Sequence, residues 1–192
     1  MANTVNIVKE PNKILRGRAK EVPPRSITST HTQSLISQMK ETLAVTPDGV
    51  GLAAPQVGEP LQIFIVSDEA EEIDRLEKMI AQGKMPPPSA DEERPAKKKK
   101  KYHVFINPVA KNISKRKLER AEGCLSVPGR FGNVRRHEKI TVEAYDENGE
   151  KFTRGATRFF ARVIQHELDH LQGTLFIDKA EKIFEPEHRD KL

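Results

Sequence analysis

Residues Thr157 to Leu171 read TRFFARVIQHELDHL, and inside them stands His166-Glu167-Leu168-Asp169-His170. Phe159, Phe160, Val163, Ile164 and Leu171 recur at helical spacing around this cluster, so the stretch predicts an α-helix. Thr157 stands where an N-cap is expected, and Gly173 follows where glycine suits a C-terminal stop. On a helix, positions i and i+4 share a face. His166 and His170 can therefore meet one metal ion, with Glu167 beside the first of them to handle a proton. Burying His, Glu, Asp and His among apolar residues without a metal or partners would be costly.

Two histidines leave such a centre incomplete, because a catalytic zinc-like site takes three protein ligands and keeps one position open. Leu171 to Phe176 offer no third histidine of the metzincin kind. Glu181, Glu185 and Glu187 lie downstream without a supporting helical pattern. The remaining candidate is Cys124, the one cysteine of the chain, in Glu122-Gly123-Cys124-Leu125-Ser126. A lone cysteine excludes an intrachain disulfide and reads as buried filler, nucleophile or metal ligand.

The 192 residues suit one domain. Hydrophobic residues make up 36% and charged residues 32%, which leaves enough apolar surface for a core. No apolar run approaches the roughly 18 residues of a membrane helix, so no membrane association is expected. The opening MANTVNIVKE lacks the pattern of a secretory signal or transit peptide, and the expected setting is cytoplasmic. The formal charge of +5 favours polyanions such as ribosomal RNA. With no Trp, two Tyr and no nucleic-acid-binding signature, specific DNA binding is not expected.

Gln33 to Ala44 places Leu35, Ile36, Met39 and Leu43 at helical spacing. The breaker Thr46-Pro47-Asp48-Gly49 and the run GVGLAAPQVG (49 to 58) follow. LQIFIV (Leu61 to Val66) and YHVFIN (Tyr102 to Asn107) read as buried strands, the second ended by Pro108. KITVEAY (Lys139 to Tyr145) alternates as a strand, and Asp146-Glu147-Asn148-Gly149 is a hairpin turn. Asp68 to Lys101 looks like a charged surface insertion. It opens acidic with Ile73, Leu76, Met79 and Ile80 on one helical face, passes Pro86-Pro87-Pro88, and ends in Lys97 to Lys101. Its charges cancel, so it can fold back on itself, and it reads as a mobile loop.

Three ordered blocks, GVGLAAPQ (Gly49 to Gln56), EGCLS (Glu122 to Ser126) and HELDH (His166 to His170), resemble the peptide deformylases over roughly Ile7 to Asp178. The resemblance implies a compact α+β domain spanning 1 to 192, in which the HELDH helix is central and surrounded by mostly antiparallel sheets. It implies that Cys124, His166 and His170 bind one divalent metal, commonly Fe(II) in this family, with Zn(II), Ni(II) or Co(II) as alternatives. Glu167 would be the general acid/base. The Gln56 side chain and the Leu125 N–H would form the oxyanion site. Val50, Gly51, Gly123 and Val163 would contact substrate.

The implied reaction is hydrolysis of the N-formyl group from formyl-methionyl nascent chains, with transient contact to the ribosome. The thiolate ligand should make the metal less Lewis acidic than a carboxylate would. Glu122 is expected to pair with Arg136 or Arg135, and Asp169 either to orient a ligand histidine or to stand as a helix-surface charge, the first being preferred. His31, His103, His137 and His188 lie outside the motifs. A metalloprotease acting on ordinary peptide bonds, or an inactive deformylase-like binding protein, would be the alternatives.

Overall fold

A computed structural model describes residues 3–84 and 100–185. The Pro86-Pro87-Pro88 stop, most of the lysine run and His188 lie outside the described residues. The chain is an α+β domain built on two antiparallel sheets. Strands β1 (Gly51–Ala53), β2 (Ile63–Ser67), β3 (Tyr102–Ile113), β6 (Lys139–Tyr145) and β7 (Lys151–Thr157) form one sheet in the order β1-β2-β3-β6-β7. Strands β4 (Lys117–Cys124), β5 (Val127–His137) and β8 (Ile183–Phe184) form the other. Helix α1 (Thr30–Val45), helix α2 (Glu69–Ala81) and helix α3 (Arg158–Leu171) complete the fold.

The unbroken apolar run of β2 follows from what covers it. Side chains alternate across a strand. Phe64 and Val66 pack with Phe160, Val163 and Ile164 of α3, while Ile63 and Ile65 pack with Leu35, Ile36, Met39 and Leu43 of α1. Both faces of β2 are thus helix-covered, as a continuous run of Val, Ile and Phe requires. Phe64 and Phe105 stack at 4.6 Å between centroids on the α3 side. Helix α3 touches β1, β2, β6 and β7 of one sheet and β5 of the other, which makes it the central element. Its end is set by Gly173 at φ 72°, where a Cβ would fall 2.4 Å from the Arg16 carbonyl oxygen.

Three local readings of the sequence differ from the structure. Strand β3 does not stop at Pro108. The pairing with β6 shifts register between Ile106 and Val109, and the strand runs on to Ile113. Such a bulge lets a residue without an N–H sit in a ladder. Thr157 stands at the N-cap of α3 but supplies no capping acceptor. Its hydroxyl donates to Asp74 at 2.8 Å, and the Phe159 N–H donates to the same carboxylate at 3.0 Å. Finally, the opening of the charged segment is a docked helix, α2, rather than a loop. Glu71 pairs with Arg154 and, at 3.2 Å, with His103, and Glu77 pairs with Arg120 at 2.9 Å. Lys100 reaches Glu69 at 3.0 Å beside the paired ends of β2 and β3 that the segment joins.

Candidate metal centre

The β4–β5 hairpin ends in the turn Leu125-Ser126, with Cys124 paired to Val127 across it. That turn carries the cysteine to the buried side of α3, where Cys124 Sγ lies 3.2 Å from His170 Nε2. One donor atom each from Cys124, His166 and His170 falls within 4.8 Å of the others. This is the only such group of three among the described residues. One thiol and two imidazoles suit a borderline-soft divalent ion, with a position left for water or substrate.

The surroundings fit that role. The Cys124 sulfur accepts from the Ser126 N–H at 3.4 Å and from Gln56 Nε2 at 3.6 Å. Burial lowers the His170 pKa well below its ordinary value and keeps the ring neutral, the form that ligates. Burial opposes charge on His166, but hydrogen bonds to Cys124 and Glu122 raise its pKa to about 10. A metal ion entering there would displace that proton. Glu167 is 3% exposed, and burial pushes its carboxyl up to about 7 against the opposing effect of His166. Its Oε2 has no hydrogen-bond partner among the described residues, nor does His170 Nδ1.

Glu122 organises the ligands from behind. It accepts from Arg136 Nε and Nη2, both at 2.9 Å, from Arg162 Nη1 at 2.7 Å, and from His166 Nδ1 at 3.0 Å. The last bond turns His166 Nε2 toward the cysteine and fixes its tautomer. Burial alone would push the Glu122 carboxyl up, but the bonds from Arg136 and His166 hold it well below the usual carboxylate range. Of the two arginines named from sequence, the partner is Arg136. Asp169 has no hydrogen bond to a histidine among the described residues. It pairs with Arg136 at 2.5 Å and with Lys179 at 2.6 Å, bracing the arginine that braces Glu122.

Val50, Gly51, Gln56, Gly123, Cys124, Leu125, Val163, His166 and Glu167 all line one cleft of about 410 Å³, whereas His170 lies behind it, 1% exposed. Gly51 makes the closest approach: a Cβ there would meet Glu167 Oε1 at 2.4 Å. Gln56 follows β1 in the 3-10 turn Ala54–Val57, where its Oε1 accepts the Ala53 N–H at 2.8 Å and its Nε2 donates to Ser126 Oγ at 3.2 Å. Sequence reasoning missed Arg162, which also donates to the carbonyls of Leu118, Arg120 and Val134. Its signal was an arginine in an apolar helix one turn before His166. It missed Phe159 in the cleft wall as well.

A central helix carrying two histidines, completed by a hairpin cysteine and a buried glutamate, makes a donor set that could hold one metal ion. The polypeptide deformylase family model matches residues 4–185, and the chain belongs to that family. It is 37% identical over 175 residues to peptide deformylase 1A, chloroplastic/mitochondrial, of Arabidopsis thaliana, covering 90% of this chain and 60% of that protein. It is 36% identical over 178 residues to the peptide deformylase of Pseudothermotoga lettingae, covering 93% of this chain and 82% of that one. A Met-Ala-Ser-bound class I type b peptide deformylase from Acinetobacter baumannii superposes with a TM-score of 0.72 at 29% identity, covering 93% of this chain and 99% of that chain.

Replacing Glu122 with Gln removes the charge that holds both arginines and the His166 tautomer. Metal affinity should fall about 10- to 100-fold, read by competition with a chelator. Unchanged metal retention would contradict this role for Glu122.

Proposed function

We propose that this chain is a peptide deformylase that hydrolyses the N-formyl group of formyl-methionyl nascent peptides and releases formate. The observation that carries this reading is the convergence of all three motif blocks on one cleft. Cys124, His166 and Glu167 line it beside Gln56 and Leu125, and His170 completes the donor set from behind. Cys124, His166 and His170 would hold the ion, with Fe(II) as the cellular metal and Zn(II), Ni(II) or Co(II) able to replace it. When bound, a divalent metal supplies Lewis acidity and brings the pKa of water toward about 7.

The protein groups do the rest. Glu167 takes the proton of the attacking water and delivers it to the departing amine, from a buried position close to neutrality. Charge develops on the formyl oxygen, where Gln56 Nε2 and the Leu125 N–H donate, each worth about 2.7–4 kcal/mol in sites of this kind. The Ala53–Gln56 bond fixes which end of the amide faces the cleft, and the long contact to sulfur is the one a formyl oxygen would replace. Val50, Val163 and Phe159 offer an apolar wall for the methionine side chain, and Gly51 and Gly123 line the same cleft with backbone that packs directly against Glu167 and Phe131. The cytoplasm, where such chains emerge, is the setting that fits this substrate.

Residues 1–192 act as one catalytic domain with a charged insertion at 68–101, and the lysine run of that insertion suits transient contact with ribosomal RNA phosphates. Deleting residues 85–99 should lower co-sedimentation with ribosomes at low salt and leave peptide turnover intact. Equal pelleting would refute the contact.

Metal-loaded protein, handled anaerobically, should release formate from a formyl-Met tripeptide. Glu167→Ala should lose about 10²- to 10⁴-fold in kcat while keeping its metal, and Cys124→Ser should lose metal and activity together. A wild type that binds metal and releases no formate would overturn the assignment.

A further inference from the structure

The catalytic helix is capped from outside its own strand–helix unit. The first four N–H groups of a helix have no partner within it. A threonine at the N-cap ordinarily accepts one of them. In α3 the Thr157 hydroxyl instead donates to Asp74 Oδ2 at 2.8 Å, and Asp74 Oδ1 accepts the Phe159 N–H at 3.0 Å. Between these two contacts stands Arg158 at φ 43°, a left-handed conformation that is costly for a residue with a side chain. Its own N–H donates to the Glu138 carbonyl at 2.7 Å. The corner is thus clamped on both sides, from β6's approach on one and from α2 on the other.

Helix α2 is itself held in place for this task. Glu71, Asp74 and Glu77 recur every three residues, so they lie near one another along α2. They reach Arg154 of β7, the start of α3 and Arg120 of β4 in turn. The carboxylate of Asp74 also meets the positive end of the α3 dipole. What it fixes matters to the cleft. Phe159 lines the cleft wall together with Val163, one turn further along α3, and His166 and Glu167 follow on the next turn.

We infer that Asp74, in the charged helix preceding β3, is a positioning residue that sets Phe159 in the wall of the substrate cleft and so tunes recognition of the substrate side chain. The inference rests on the deformylase reading for its kinetic part. The capping contact stands on geometry alone. Its effect should therefore fall on KM, because Phe159 faces substrate, while the metal donors two turns away stay anchored by Glu122 and the hairpin.

The test compares wild type, Asp74→Ala and Asp74→Asn, each loaded with Ni(II). It reads amide hydrogen exchange over Phe159 to Arg162, metal content, and KM and kcat for a formyl-Met tripeptide. In Asp74→Ala, exchange in the first turn of α3 should quicken and KM should rise about fivefold, the scale of one lost cap. Metal content and kcat should stay within about twofold. Asp74→Asn keeps an oxygen to accept the Phe159 N–H and should restore both exchange and KM. The inference falls if Asp74→Ala leaves KM and exchange unchanged, if kcat and metal content drop with KM, or if Asp74→Asn behaves as Asp74→Ala. A wild type without formate release would sink the deformylase reading instead, and the exchange data would then decide the capping role by themselves.

Discussion

The buried carboxylate of Glu122 accepts hydrogen bonds from Arg136, Arg162 and His166, and the rest of the site depends on it. The four residues come from three pieces of the fold. Glu122 lies on β4, Arg136 on β5, and Arg162 and His166 on successive turns of α3. The network ties the small sheet to the central helix at the level of the metal donors. Glu122 and Arg136 are each only 4% exposed at the side chain. A pair so deep has little net worth beside an apolar replacement, but removing one partner costs about 3–5 kcal/mol, because the other charge is left stranded. The exposed pair Arg75–Glu72, by contrast, is screened by solvent and contributes little. Here the charges are kept to fix geometry.

That geometry separates two neighbouring acids by environment. Glu122 is saturated with donors and stays ionised, while Glu167, on the same helix as the histidines, is buried with an oxygen left over and sits near neutrality. One acid holds His166 by a hydrogen bond, and the other keeps a carboxyl whose pKa burial has raised. Gly51 lets β1 close over Glu167 at a distance that no side chain at that position would permit. The wall of the cleft at β1 therefore lies directly against the Glu167 carboxylate.

Much of this was legible in the sequence because the governing signals are local. The spacing of His166 and His170, the apolar run of β2 and the alternation of Lys139 to Tyr145 each follow from one element's own periodicity. The three motif blocks carried the assignment of Cys124, which spacing alone left open. What was not legible depends on partners distant along the chain. Asp169 looked like a histidine's partner because it stands between two of them, yet on the helix it turns away toward Arg136. Thr157 had the right residue type for a cap, but Asp74 from the charged segment displaced it. Pro108 reads as a strand end only when no bulge is available to absorb it.

The central claim is that the β4–β5 hairpin delivers a cysteine sulfur to the two histidines of α3 to form one metal site. X-ray absorption at the metal edge of protein loaded with Ni(II) tests it most directly. The account predicts one sulfur and two imidazole nitrogens among the ligands, with the sulfur lost in Cys124→Ser. A shell of nitrogen and oxygen alone in the wild type would contradict it, and would remove the link between the second motif and the chemistry of the site.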